Sequence, residues 1–414
     1  MQSTPRSTHQ TRPISATTSV VAVLLPIMAV VVVAYLITGI AMPVLPIYVH
    51  QRLGLGTFVV GLVAGTQFAA TLISRLWAGR YTDMKGPKSA VLAGLLFAGA
   101  AGMAYLVSVQ FAAKPAASAT ILLVGRGLLG VMESFVITGA LSWGVALAGP
   151  QHTGKVMSWV GTALYTAFAI GAPAGTGLYA SRGFTAIALA TMLLPLATVG
   201  VVAPLRRIEP ATHTRPALAD VIRAVWVPGL ALALSGVGFA AITTFVPLLF
   251  VERGWGQAWL AFTTFSVAFM VMRVTLGHLP DRIGGGKVAL ICMLIEAAGL
   301  AVIWRASDFS VALAGVTVSG LGYSLVYPGL GVEAVRSAPP QSRGVAMGTY
   351  TAFLDLALGL ASPILGLTAS AFGLTSVFLL SALLVLPAAA VALRLIYGSV
   401  VSDPVVGLAC TGEA

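Results

Sequence analysis

Long apolar runs separated by short polar stretches organise this chain. They fall at residues 20–48, 57–78, 88–109, 117–147, 155–180 and 184–204. After a basic stretch they resume at 226–250, 257–277, 287–304, 309–335, 343–372 and 375–397. Each is of the length a helix needs to cross a hydrocarbon core, roughly 20 residues. In that core every backbone polar group needs an internal partner, so the runs are expected to be helical; barrel strands would be much shorter and would alternate polar with apolar. The pattern predicts an all-α integral membrane protein with twelve transmembrane helices. Its expected parts are an N-terminal tail (1–19), a six-helix bundle (20–204), a linker (205–225), a second six-helix bundle (226–397) and a C-terminal tail (398–414).

Composition agrees with lipid as the main solvent. Of 414 residues, 58% are hydrophobic and 8% charged, against about 25% charged in soluble domains. The net charge of +11 follows the loops. Seventeen of the 23 Lys and Arg lie on the side that would carry both termini, five lie on the other, and Arg126 falls within a run. The excess of basic residues predicts cytoplasmic termini and a cytoplasmic linker. With no soluble basic domain, no nucleic-acid partner is expected. The start "MQSTPRSTHQTRPIS" has no cleavage site before the first run and reads as a tail rather than a signal peptide.

Enzyme chemistry finds little support. The two cysteines, Cys292 and Cys410, form no spaced pair, and the five histidines lie in tails, loops or run ends. Neither H-E-x-x-H nor G-x-S-x-G occurs, so no metal site, cofactor or catalytic centre is expected.

The chain also repeats itself. In "SRLWAGRYTDMKGPK" and "MRVTLGHLPDRIGGGK", Arg75, Gly79, Asp83 and Gly86 map onto Arg273, Gly277, Asp281 and Gly284 at a constant offset of 198. "GPQHTGKVMSW" and "PPQSRGVAMGT" align at an offset near 190, which carries Pro173 onto Pro363. Two six-helix halves joined by a loop are the mark of a duplicated transporter with a site between its halves.

On these motifs the sequence resembles the major facilitator superfamily over nearly its whole length. The cytoplasmic signature of that superfamily stands here as Gly79, Asp83, Gly86 and Lys88, with Met84 where a basic residue is usual. A weaker copy is Gly277, Asp281, Arg282, Gly284 and Lys287. The resemblance implies two pseudo-symmetric bundles, the major facilitator fold. It also implies that the signature's charges latch against neighbouring helix ends and stabilise an outward-facing state. In "GRGLLGVMESF", Arg126, Gly130 and Glu133 share one helical face, similar to the Arg-containing motif of proton-coupled exporters. "AIGAPAGTG", with Gly171, Pro173, Gly175 and Gly177, resembles the glycine–proline motif of drug/proton antiporters, although Ala172 separates Gly from Pro; such residues also serve packing and kinking. "PVLPIYVH", "GRYTDMKGPK", "GYSLVYPGLGVEAV" and "TAFLDLALG" resemble the bacterial YhhS-like, or arabinose-efflux-permease-like, branch.

Four ionisable groups lie well inside the runs: Arg126, Glu133, Glu296 and Asp355. Such groups are costly in hydrocarbon and mark function when they are not structural. Glu296 lies in a helix that the resemblance puts on the outside of the bundle, and a structural hydrogen bond is expected there. Asp355 is near the centre of its run and shares a face with Thr351 and Ser362. At an offset of 190 its counterpart is Tyr165, on a neutral face with Ser158 and Thr162. An acid in one half only suggests a specialised task, and loss of water around a carboxyl favours the protonated form that proton carriage requires. Asp355, Glu133 and Arg126 are therefore the expected proton-coupling residues; a structural carboxyl bonded to a neighbouring helix is the plainer reading of Asp355. Expected cavity residues are Tyr35, Thr38, Gln67, Trp143, Tyr165, Ser235, Tyr323 and Tyr327, a set suited to a small amphipathic molecule.

Together these readings predict a monomeric secondary active transporter working by alternating access, with proton-coupled efflux driven by the proton motive force. A proton-coupled importer or a uniporter uses the same parts. A non-transporting sensor would be expected to carry an appended cytoplasmic domain.

Overall fold

A computed structural model describes residues 20–149, 152–205, 218–338 and 343–401. The N-terminal tail, most of the C-terminal tail, the middle of the linker and the Ser158 side chain lie outside the described residues. The chain folds into helices α1 (Val20–Ala41), α2 (Leu45–Ile47), α3 (Thr57–Lys85), α4 (Pro87–Gln110), α5 (Pro115–Ala148), α6 (Thr153–Val202) and α7 (Leu218–Glu252). They are followed by α8 (Ala258–Leu276), α9 (Leu279–Ile283), α10 (Gly285–Arg305), α11 (Phe309–Ser324), α12 (Val326–Arg336), α13 (Arg343–Phe372) and α14 (Leu374–Val401). A π-helical turn, Tyr48–Arg52, follows α2.

Eleven helical stretches among the described residues are long and apolar enough to cross a membrane. One of them is far longer than a single crossing needs. The 50 residues of α6 would reach about 75 Å at 1.5 Å per residue, enough for two ~30 Å cores. Gly183, at φ 66° and ψ −168°, breaks it near the loop that separates the two runs expected there. The run expected at 309–335 is in turn interrupted at Leu325, between α11 and α12. Pro328 explains this: its missing N–H and its ring disrupt the preceding helical turn. Tyr350 Oη donates to the Tyr327 carbonyl at 2.9 Å, beside the break.

Glycines set the helix spacing. A Cβ on Gly130 would lie 2.1 Å from the Gln67 carbonyl, and one on Gly320 would lie 2.6 Å from the Phe265 carbonyl. The glycines are 190 residues apart and their partners 198, so the same close approach recurs in each half. A further seam joins α3 to α13, where a Cβ on Gly61 would meet the Ser362 carbonyl at 2.1 Å and one on Gly366 the Thr57 carbonyl at 2.4 Å. Thr57 Oγ1 also donates to the Gly366 carbonyl at 2.8 Å. Small residues let membrane helices approach to backbone contact, and here they close the bundle at the end opposite the loops that carry Asp83 and Asp281.

Candidate functional site

Between the halves lies a cavity of about 990 Å³. Its deep end reaches Thr38, Met42 and Phe68, and its mouth is lined by Gly277, His278, Asp281 and Arg336. The last three are exposed, so the cavity opens at the end bearing the more basic loops. Tyr35, Gln67, Tyr165, Tyr323 and Tyr327 also line it, together with Glu133 and Asp355.

The main polar contact crosses from one half to the other. Arg75 on α3 donates through Nε to Asp355 Oδ2 on α13 at 2.9 Å, and Arg75 Nη2 engages the same oxygen. The Asp355 side chain is 7% exposed and that of Arg75 20%. Asp355 is thus compensated by a guanidinium expected only as a repeated, topology-setting charge and not as its partner. One signal was present: Arg75 and Arg273 recur at the same place in the repeat, ten residues before the ends of α3 and α9 respectively. Thr351, which shares the Asp355 face, is 2.8 Å from Tyr327 Oη.

A second network surrounds Glu133. Tyr35 Oη donates to its Oε1 at 3.2 Å and Gln67 Nε2 to its Oε2 at 3.0 Å; Thr71 Oγ1 lies 3.4 Å from that oxygen. Arg126, two turns away on the same helix, is turned elsewhere. It is 3% exposed and donates through Nε to the Val63 carbonyl at 3.1 Å. Its Nη1 has no hydrogen-bond partner among the described residues. Arg126 lines a separate small void with Thr243 and Thr244, so the structure does not bring it together with Glu133 and Asp355.

Trp143 and Ser235 also lie away from the cavity. Trp143 is buried, and Ser235 Oγ donates to Glu296 Oε2 at 2.6 Å. Glu296 is 1% exposed and packs against Gly238 and Gly322; it faces neighbouring helices rather than the outside of the bundle. The signature residues divide between two places. Lys88 Nζ donates to the carbonyls of Ala203 at 2.6 Å and Leu205 at 2.7 Å, at the end of α6, where a cation complements both the unsatisfied carbonyls and the helix dipole. Gly86 (φ 87°) and Gly284 (φ 100°) supply left-handed turns, whereas nothing lies within 4 Å of a Cβ on Gly79. Arg282 is exposed.

Membrane-length helices around a large cavity that opens at one end are the architecture of a solute transporter. The family model described as Major Facilitator Superfamily matches residues 27–262 and 256–406. A Salmonella typhimurium protein described as uncharacterized MFS-type transporter STM4428 is 44% identical over 357 residues, which is 86% of this chain and 92% of that protein. The MFS-type transporter YhhS of Escherichia coli K12 is 40% identical over 352 residues, covering 85% and 87%. Among solved structures, the nucleoside transporter NupG has a similar fold, with TM-score 0.69 and 13% identity over 90% of this chain and 99% of that one. The chain belongs to the major facilitator superfamily.

Proposed function

We propose that the protein exports a small organic molecule in exchange for protons by alternating access. The carrying observation is the Arg75–Asp355 pair, which ties α3 to α13 in the wall of the cavity. A largely buried ion pair holds its helices together while both members are charged, and removing one charge is strongly destabilising. Protonation of Asp355 releases α3 from α13, and its deprotonation restores the contact. Proton entry and helix separation are thereby the same event. Glu133, held by neutral donors in the same cavity, is the second candidate carrier.

Export is the direction implied by the resemblance of "GRGLLGVMESF" and "AIGAPAGTG" to exporter and antiporter motifs; charge distribution gives the side to which the cavity opens. The cavity opens towards the loops rich in Lys and Arg, and the positive-inside rule makes that the cytoplasmic side of the inner membrane. Cargo enters from the cytoplasm in this conformer. Counting α6 as two crossings gives twelve; in this reading they form two bundles related by the repeat, both termini are cytoplasmic, and the protein works as a monomer.

The test begins with a thermal-shift screen of the purified protein against metabolites, antibiotics and metallophores, and continues with flux of the hits into proteoliposomes. An acidic lumen should drive accumulation of cargo, a protonophore should abolish it, and Asp355→Asn should lose it while remaining folded. Full gradient-driven accumulation by Asp355→Asn would remove the proton role from Asp355. Downhill flux with no proton movement would make the protein a uniporter, and accumulation driven by the opposite gradient an importer.

A further inference from the structure

Arg273 stands 198 residues after Arg75 and lines the same cavity, but it meets a different environment. Its Nη2 lies 3.7 Å, and its Cζ 3.8 Å, from where a Cβ on Gly161 would stand, so the guanidinium faces α6. One turn along α6 is Tyr165, the position that corresponds to Asp355. No carboxylate among the described residues pairs with Arg273. Asp281 is exposed at the mouth, and Glu133 is held by Tyr35 and Gln67. Arg273 instead sits against an aromatic surface. Its Cζ is 5.7 Å from the Phe269 centroid, and Phe269 stacks on Tyr165 with centroids 3.6 Å apart and planes 21° apart.

A guanidinium stays charged under all physiological conditions. In a largely apolar cavity wall such a charge is costly without a counter-ion. Where the protein supplies that counter-ion to Arg75, it leaves Arg273 to something that comes and goes. We propose that Arg273 is the cargo-binding cation, and that the cargo is an organic anion with a flat apolar body: a carboxylate or similar acid group on Arg273 and the body against Tyr165 and Phe269. A planar guanidinium binds such a group through two parallel hydrogen bonds. The cavity is within the size range of drug-sized ligand sites. The inference rests on the transport reading for its setting, but it concerns binding alone and can fail separately from proton coupling.

The experiment therefore measures binding with no gradient present. Purified full-length protein in nanodiscs is titrated with matched sets of naphthalene and quinoline compounds carrying a carboxylate, its neutral amide or an aminomethyl cation. The expected result is that at least one carboxylate binds tenfold or more tightly than its amide. Arg273→Gln should bring the carboxylate to the level of the amide, and Arg273→Lys should keep part of the preference. Monodispersity and melting temperature of both variants report folding, and the amide, which needs no cation, reports an intact aromatic surface. Equal affinities for acids and amides in the wild type, no binding of any acid, or a preference that survives in Arg273→Gln would overturn the proposal. So would tighter binding of the amines that is abolished by Glu133→Gln, which would make Glu133 the anchor of a cationic cargo. Failure of proton coupling would show only in the flux assay, with the acid preference intact.

Discussion

The two contacts that flank the cavity start from one repeated arginine and end differently. On α3, Arg75 meets Asp355 of the opposite half; on α8, Arg273 faces Gly161 and the stacked pair Tyr165–Phe269. A similar divergence lies deeper. Gln67 donates to Glu133, and at offsets of 198 and 190 the corresponding residues are Phe265 and Tyr323, which form an aromatic group with Phe239. The glycine contacts recur while the chemistry does not. Across the sequence repeat the backbone spacing at these glycines is kept while the polar side chains differ: acids opposite neutral donors and an arginine in one place, an arginine beside aromatic rings in the other.

That comparison can be broken most forcefully at the ion pair. Asp355→Asn strands the Arg75 charge, and a loss of about 3–5 kcal/mol is expected. The double variant Arg75→Gln/Asp355→Asn should recover most of it, as read by denaturation in detergent. The seam beneath comes next. Gly61→Ala puts a Cβ against the Ser362 carbonyl, and overpacking of this kind costs about 1–3 kcal/mol against this conformer. Maleimide labelling of His278→Cys at the cavity mouth should slow accordingly. Supplying the missing acid sharpens the contrast: Gly161→Asp, whose Cβ would be 3.7 Å from Arg273 Nη2, should cut the acid-over-amide preference about tenfold, a loss of ~1.4 kcal/mol. The smallest effect is expected from Gln67→Leu, which takes one of the donors from Glu133 and should lower the melting temperature by an amount equivalent to about 1 kcal/mol.

The chain announced much of this architecture and little of its wiring. Run lengths marked the membrane helices, and constant offsets marked the repeat, because both are local or periodic. The break at Leu325 was not legible: Pro328 disrupts its helical turn, but Pro228 and Pro363 stand in equally apolar runs whose helices continue. Asp355 could be singled out by its depth, but Arg75, 280 residues away, could not be assigned to it without knowing which faces of α3 and α13 meet. The same rotational freedom hid the orientations of Arg126, Trp143 and Ser235, which share helices with cavity residues but point elsewhere. At Glu296 the expected structural hydrogen bond is present, and only its partner, Ser235, depended on helix rotation.

The seam of Gly61 and Gly366 bears on how often the bundle can open and reclose. Glycine has no rotamers to freeze when two helices meet, whereas a long side chain gives up as much as about 2 kcal/mol of entropy on burial. Parting this surface likewise frees few side chains and leaves little to reorder on return. Its principal polar tie is the Thr57 hydroxyl on the Gly366 carbonyl. Such a joint resembles a bare bearing surface more than a clasp: it can be undone and remade each cycle with little entropic friction, leaving the timing of release to the charged pair beside it.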